Sequence, residues 1–218
     1  MCDDSDHDHS RVHGHRRTSD LASPNQSRRR FLLSVGATAT AATAGCLGLG
    51  GTAEAPDPIS LESRDHICEL CGMVIPMHPG PVAQIFYKDH KPDGPPPKDN
   101  PARFCSNWEA FKYEFNHENR GWNSTAFYTT DYSSVDYELY DEGDDTYITA
   151  HFEPETFADA TELTYLVGSD IKGAMARDLI GFSEKSEVEE LQTEYGGDIM
   201  EYGDVSIETV GVLENSYR

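Results

Sequence analysis

Between His66 and His78 the chain reads Cys68-Glu69-Leu70-Cys71-Gly72-Met73 and then Val74-Ile75-Pro76-Met77, and Pro79-Gly80-Pro81 follows at once. This stretch restricts the fold more than any other. Proline removes a backbone donor and clashes with the turn before it, so Pro76, Pro79 and Pro81, with Gly72 and Gly80, deny the segment a helix. The two cysteines therefore belong to an irregular loop that crowds thiolate, thioether and imidazole donors together. Thiolate and thioether select Cu(I), whereas zinc takes sulfur only as thiolate beside imidazole or carboxylate, and calcium and magnesium prefer oxygen. Met73 and Met77 turn the balance toward copper.

Other uses of the same cysteines remain open at this point. Cys68 and Cys71 can form a disulfide in an oxidising compartment. Thiol–disulfide exchange of the thioredoxin kind fits poorly, because the broken backbone after Cys71 offers no long helix for the motif to begin. Structural zinc needs four closed ligands, which Cys68, Cys71 and Cys105 with His66, His78 or His117 can supply, although no second Cys-x-x-Cys or His pair accompanies the first. Cys105, in Arg103-Phe104-Cys105-Ser106, reads as a buried small apolar residue or an auxiliary thiol. The chain carries no GxSxG, HExxH, P-loop or dinucleotide motif after its export segment. No other catalytic arrangement stands out, and a membrane-anchored thiol or metal-dependent oxidoreductase stays open as an alternative to a metal-binding protein without turnover.

Location adds to this reading. Ser27-Arg28-Arg29-Arg30-Phe31-Leu32-Leu33 has a twin-arginine export signature and opens an apolar stretch from Phe31 to Gly45. That stretch is too short to span a bilayer, which takes about 20 apolar residues. Thr43-Ala44-Gly45-Cys46 resembles a lipobox, so Cys46 is expected to carry lipid, and the glycines after it form a flexible tether. The expected organisation is a signal over 1–45, a tether over 46–58, a first α+β unit over 59–155 and a second over 156–218. The His-rich tract before Ser27, with Cys2, is removed with the signal on this reading.

Charge excludes some partners. The chain has 39 acidic and 17 basic residues, a formal charge of -22, and Arg11, Arg16, Arg17, Arg28, Arg29 and Arg30 all lie before Cys46. The exported part thus lacks the basic face that nucleic acid or anionic lipid would require. Acids are spread from Glu54 to Glu214 rather than gathered in one tail. At molar salt the Debye length is about 3 Å, so dispersed carboxylates cost little there and keep the surface hydrated, which points to a salt-adapted organism.

Val82 to Lys88 alternates as a strand, and the Pro-rich run from Pro92 to Pro101 ends it. Ser106-Asn107-Trp108-Glu109 has capping-box spacing, with Trp108, Phe111 and Phe115 continuing at helical intervals. Strands are expected over Thr125 to Asp131, Tyr137 to Tyr140, Thr146 to Phe152 and Thr161 to Val167. A helix over Ser183 to Tyr195 should end at Gly196-Gly197, followed by strands at Ile199 to Tyr202 and Ser206 to Val210. The class is α+β, two small units in tandem, each a short antiparallel sheet with one helix. Gly168 to Asp178 reads as a glycine-punctuated loop, and the thioether of Met175 on it is a candidate ligand meeting the Cys71–Met73 loop from the other unit.

Cys71-Gly72-Met73, Pro79-Gly80-Pro81-Val82-Ala83-Gln84, the segment around Met175 with Ile180-Gly181-Phe182-Ser183, and Tyr195-Gly196-Gly197-Asp198 together resemble the NosL family. The resemblance implies a lipid-anchored protein outside the cytoplasmic membrane that holds Cu(I) through sulfur. It also implies delivery of that copper to nitrous oxide reductase or its assembly transporter. Carried over by position, Cys71 and Met73 match the Cys-x-Met element and Met175 the later methionine. Cys68 makes a Cys-x-x-Cys pair where many members have one cysteine, and Ala174 and Ala176 flank Met175 where glycine is commoner. The expected metal set is Cys68, Cys71, Met73 and Met175.

Overall fold

The computed structural model describes residues 55–92, 94 and 100–216. The export signal, Cys46 and the tether up to residue 54 lie outside the described residues. The described residues form one compact unit. No helix among the described residues is long and apolar enough to cross a membrane.

The first sheet is antiparallel throughout, in the order β2 (Ala102–Phe104), β1 (Ala83–Tyr87), β3 (Ser124–Thr130), β6 (Phe157–Asp159). Every residue of β1 is buried, so both faces of this strand are covered. Helix α1 (Asn107–Glu118) supplies one cover. On β1, Gln84 is tied to the N-terminal segment: its Oε1 accepts from Ile59 N at 2.9 Å and its Nε2 donates to Ile59 O at 3.0 Å. A buried amide is tolerated only when its hydrogen bonds are made, and this one is answered on both sides. The loop from β1 to β2 closes the same way, with Asn100 pairing the backbone N and O of Tyr87.

The second sheet runs β4 (Leu139–Glu142), β5 (Asp145–Ile148), β7 (Thr164–Gly173), β8 (Ala176–Phe182), with β9 (Asp198–Glu201) on the first half of β7. One pairing, β5 with β7, is parallel. Strands β7 and β8 are the partition of the molecule. Tyr165, Val167 and Leu179 face the core beneath α1, while Leu166, Ile180 and Phe182 face a second core with Val188 and Leu191 of α2 (Lys185–Tyr195). Period-two alternation thus feeds two apolar layers from one hairpin, which is why this hairpin has few exposed side chains.

The α+β class and the antiparallel first sheet are as expected, and so are the first strand, the capped α1 and the glycine end of α2, where Gly196 and Gly197 both have positive φ; the second sheet is mixed, through the parallel β5–β7 pairing. Strand membership crosses the boundary expected at 155/156. β4 and β5 pair into the second sheet, and β6 pairs back into the first. The strand expected at Ser206 to Val210 is instead helix α3 (Ile207–Ser216). Ser206 and Thr209 cap each other there, with Thr209 N donating to Ser206 Oγ at 3.2 Å and Ser206 N to Thr209 Oγ1 at 3.3 Å. Val210 and Leu213, three apart, then bury one helical face. The loop expected over Gly168 to Asp178 is another correction: β7 runs on to Gly173 and β8 begins at Ala176, so only Ala174 and Met175 turn.

Candidate metal centre

The Cys68–Met73 segment folds into a tight knuckle. Cys68 N donates to Met73 O at 2.8 Å, Gly72 N to Cys68 O at 3.0 Å, and Ile75 N to His66 O at 3.0 Å. Gly72 takes φ +75 with open space around it, a conformation that costs other residues about 1–2 kcal/mol. The knuckle is docked on the first sheet by Glu69 N, which donates to Arg103 O at 2.9 Å. That contact places it two residues from Cys105, which sits between the end of β2 and the cap of α1.

There the sulfurs meet. Cys71 Sγ is 3.4 Å from Cys105 Sγ. Glu109 Oε2 lies 3.2 Å from Cys68 Sγ, 3.3 Å from Cys105 Sγ, 3.6 Å from Cys71 Sγ and 3.4 Å from Ser106 Oγ. One donor atom from each of Cys68, Cys71, Cys105 and Glu109 falls within 4.8 Å of the others. Cys68 and Cys105 are buried and Cys71 is half-buried, so the cluster opens to solvent on the Cys71 side. Met73 and Met175 pack in the apolar cluster that contains Cys68 and Cys105. No histidine belongs to the four-residue group; His117, at the last turn of α1, stacks on Tyr113 and meets Trp122 edge-to-face.

The hairpin bearing Met175 is fixed to the same helix. Asp178 Oδ1 accepts from Trp108 N at 2.9 Å and Leu179 N at 2.8 Å, and Asn107 Nδ2 donates to Leu179 O at 2.8 Å. A carboxyl at a helix N-terminus answers the orphan donors of the first turn. On its other side the hairpin crosses Pro79-Gly80-Pro81 so closely that a Cβ on Gly80 would stand 2.3 Å from Gly173 Cα. Bare glycine at both positions is what lets the knuckle side and the Met175 side of the molecule pack together.

Charge in the cluster is relocated by folding. Hydrogen bonds from Cys105 and then Cys68 lower the Cys71 pKa to about 4. The Cys105 thiol is pushed far up, first by its bonds to Cys68 and Cys71 and then by burial. At Cys68 the bond with Cys105 lowers the pKa, but the bond with Cys71, burial and the Cys71 charge together raise it. Burial, then the neighbouring Cys68, pushes Glu109 up to about 8. Between these values the fold carries its negative charge on Cys71 and keeps a proton on Glu109, the reverse of the unfolded chain. Both states then hold the same number of protons at these two groups, so the pair adds little slope to stability between about pH 5 and 8. Buried Asp178 is raised as well; its stabilising contribution is complete at acid pH and fades as pH rises.

The reduced, metal-free protein should accordingly keep thiolate ultraviolet absorbance down to about pH 4, and Cys71→Ser should lose it. Thiolate absorbance that first appears on raising the pH above 8 would contradict this assignment.

The structure brings the expected ligands Cys68 and Cys71 together with Cys105, read from the sequence as a buried residue or auxiliary thiol, and with Glu109, read there only as part of a cap. The available signal was their four-residue spacing across a helix start. Three cysteines and a glutamate gathered at one point of a small α+β fold, with Met73 and Met175 in the same hydrophobic core, form a donor set of the kind that suits soft metal ions. The family model for NosL matches residues 58–210, and the chain belongs to the NosL family. It is 27% identical over 149 residues to the copper-binding lipoprotein NosL of Stutzerimonas stutzeri, covering 68% of this chain and 66% of that relative's length. The crystal structure of the copper chaperone NosL from Shewanella denitrificans shares the fold, with a TM-score of 0.56 at 24% identity, over 70% of this chain and 98% of the other.

Proposed function

We propose that this protein is an exported, lipid-anchored copper chaperone that carries Cu(I) to nitrous oxide reductase or its assembly transporter. The observation that carries the reading is the convergence of three thiols at one point, open at Cys71, with Met73 and Met175 packed in the same hydrophobic core. Thiolate and thioether are the donors Cu(I) prefers. The metal is cargo here. A site open at Cys71 and closed at Cys68 and Cys105 suits transfer, because an incoming thiol or thioether can reach the ion from one side only. The Glu109 carboxyl accepts hydrogen bonds from the cysteine thiols and holds them in place around the site. The names of the relatives support copper as the ion and a lipoprotein as the form.

Loss of such a carrier acts through the metal content of its client. Cells lacking the protein should accumulate nitrous oxide under copper-limited denitrifying growth, with reductase present but short of copper, and added copper should restore part of the activity by mass action. Reductase with full copper and normal nitrous oxide consumption in that strain would move the oxidoreductase alternative ahead.

Anchoring rests on Cys46 and export on Arg28-Arg29. Each buried methylene of an attached lipid contributes about 0.8 kcal/mol of membrane affinity. Cys46→Ala should therefore release the mature protein from membranes, while lysines in place of Arg28 and Arg29 should leave precursor inside the cell. Equal membrane retention of Cys46→Ala and wild type would place the anchor elsewhere.

A further inference from the structure

Three free thiols so close together have chemistry besides metal binding. Cys71 is the half-buried one, and Cys68 and Cys105 are 0% and 1% exposed. Cys71 Sγ and Cys105 Sγ stand 3.4 Å apart although 34 positions separate the residues. An S–S bond is about 2.05 Å long, so closure calls for side-chain rotation and a small shift of the knuckle. Cys68 is held differently in its backbone, which is fixed by Met73 O and Gly72 N, although its thiol, like that of Cys105, reaches Glu109 Oε2.

We propose that Cys71 and Cys105 form a reversible disulfide on meeting a small-molecule disulfide, and that this bond and bound copper exclude one another. The Cys71 thiolate, which solvent reaches, attacks the reagent, forming a mixed disulfide and expelling one thiolate. The Cys105 thiol then attacks the Cys71 sulfur, the second half of the reagent leaves, and the Cys105 proton goes to it as a thiol. Two protein sulfurs are oxidised by two electrons and the reagent is reduced by two. Cys68 stays reduced. With two of its three sulfurs tied up in the disulfide, the centre keeps too few soft donors to compete for Cu(I). This last consequence rests on the copper reading above, whereas the disulfide itself does not.

The test uses the full chain, reduced and metal-free, exposed to oxidised glutathione, then alkylated and digested with trypsin. The expected product links the peptide Asp65–Lys88 to the peptide Phe104–Lys112, with alkyl label on Cys68. Cys105→Ala should instead retain glutathione on Cys71, because the resolving thiol is gone. A Cys68–Cys71 link as the main product overturns the proposal, and so does wild type holding glutathione on Cys71 as long as Cys105→Ala does. If Cys105→Ala does not fold, the wild-type map decides alone. The oxidised protein should then leave Cu(I) with a competing chelator until a reductant is added; a cross-linked protein that still takes copper overturns the exclusion. Reduced protein that takes no copper would count against the chaperone reading and leave the disulfide standing.

Discussion

Cys71→Ser should weaken Cu(I) binding more than about a hundredfold, measured by competition with a Cu(I) chelator. Residues that only orient metal ligands cost roughly 10–100-fold when changed, and a thiolate in direct contact should cost more. Among the three cysteines Cys71 is the one whose pKa folding lowers, to about 4, so it meets the ion already charged. Serine offers a hydroxyl, which is neutral and a poor soft ligand. Cys105→Ser should weaken binding less, since its thiol is raised and must first lose a proton. Glu109→Gln tests the supporting role: it keeps an acceptor oxygen beside the sulfurs and should stay within the roughly 10–100-fold range of an orienting group. Equal affinity in wild type and Cys71→Ser would remove this residue from the site.

Gly80→Ala should damage both stability and copper affinity. Gly80 has φ +94, and its added Cβ would lie 2.3 Å from Gly173 Cα, so the clash is with backbone and cannot be relieved by a rotamer change. The conformational cost alone is about 1–2 kcal/mol, and separation of the hairpin from the Pro79–Pro81 segment adds to it. Because Gly173 ends the strand before Ala174 and Met175, the displacement moves the thioether as well. Gly121→Ala is the control: it has φ +83 but nothing within 4 Å, so it should lower the unfolding midpoint modestly and leave copper affinity unchanged. If the two alanine variants match in midpoint and affinity, the glycine crossing does not position the hairpin.

Much of this molecule was readable from local chemistry, and the limits of that reading have physical causes. The capping box at Ser106 and the paired glycines after Tyr195 are signals contained within a few residues, and both ends formed as expected. Helix α3 was misjudged because its reciprocal cap uses Thr209 rather than an acid or amide, and its apolar residues allow either period over so short a run. The loop assigned to Gly168 to Asp178 failed because its glycines serve a bulge and a close crossing inside a hairpin, not a flexible excursion. For the metal centre, the donors within one stretch were visible and the distant ones were not. Cys105 arrives beside Cys71 only through the antiparallel pairing of β1 with β2 and the docking of Glu69 on Arg103. Long-range register of that kind leaves no mark on the residues near either cysteine. Glu109 was hidden because its place in the capping-box spacing suggested a cap, whereas its carboxylate accepts from the sulfurs and Ser106 Oγ and only its backbone N joins the cap.

The central claim is that this chain holds Cu(I) by sulfur at the cluster around Cys71. X-ray absorption at the copper edge of the reduced, Cu(I)-loaded protein addresses it most directly. The account predicts a first shell made of sulfur scatterers, losing a sulfur in Cys71→Ser. A shell dominated by nitrogen or oxygen, unchanged by that substitution, would contradict it.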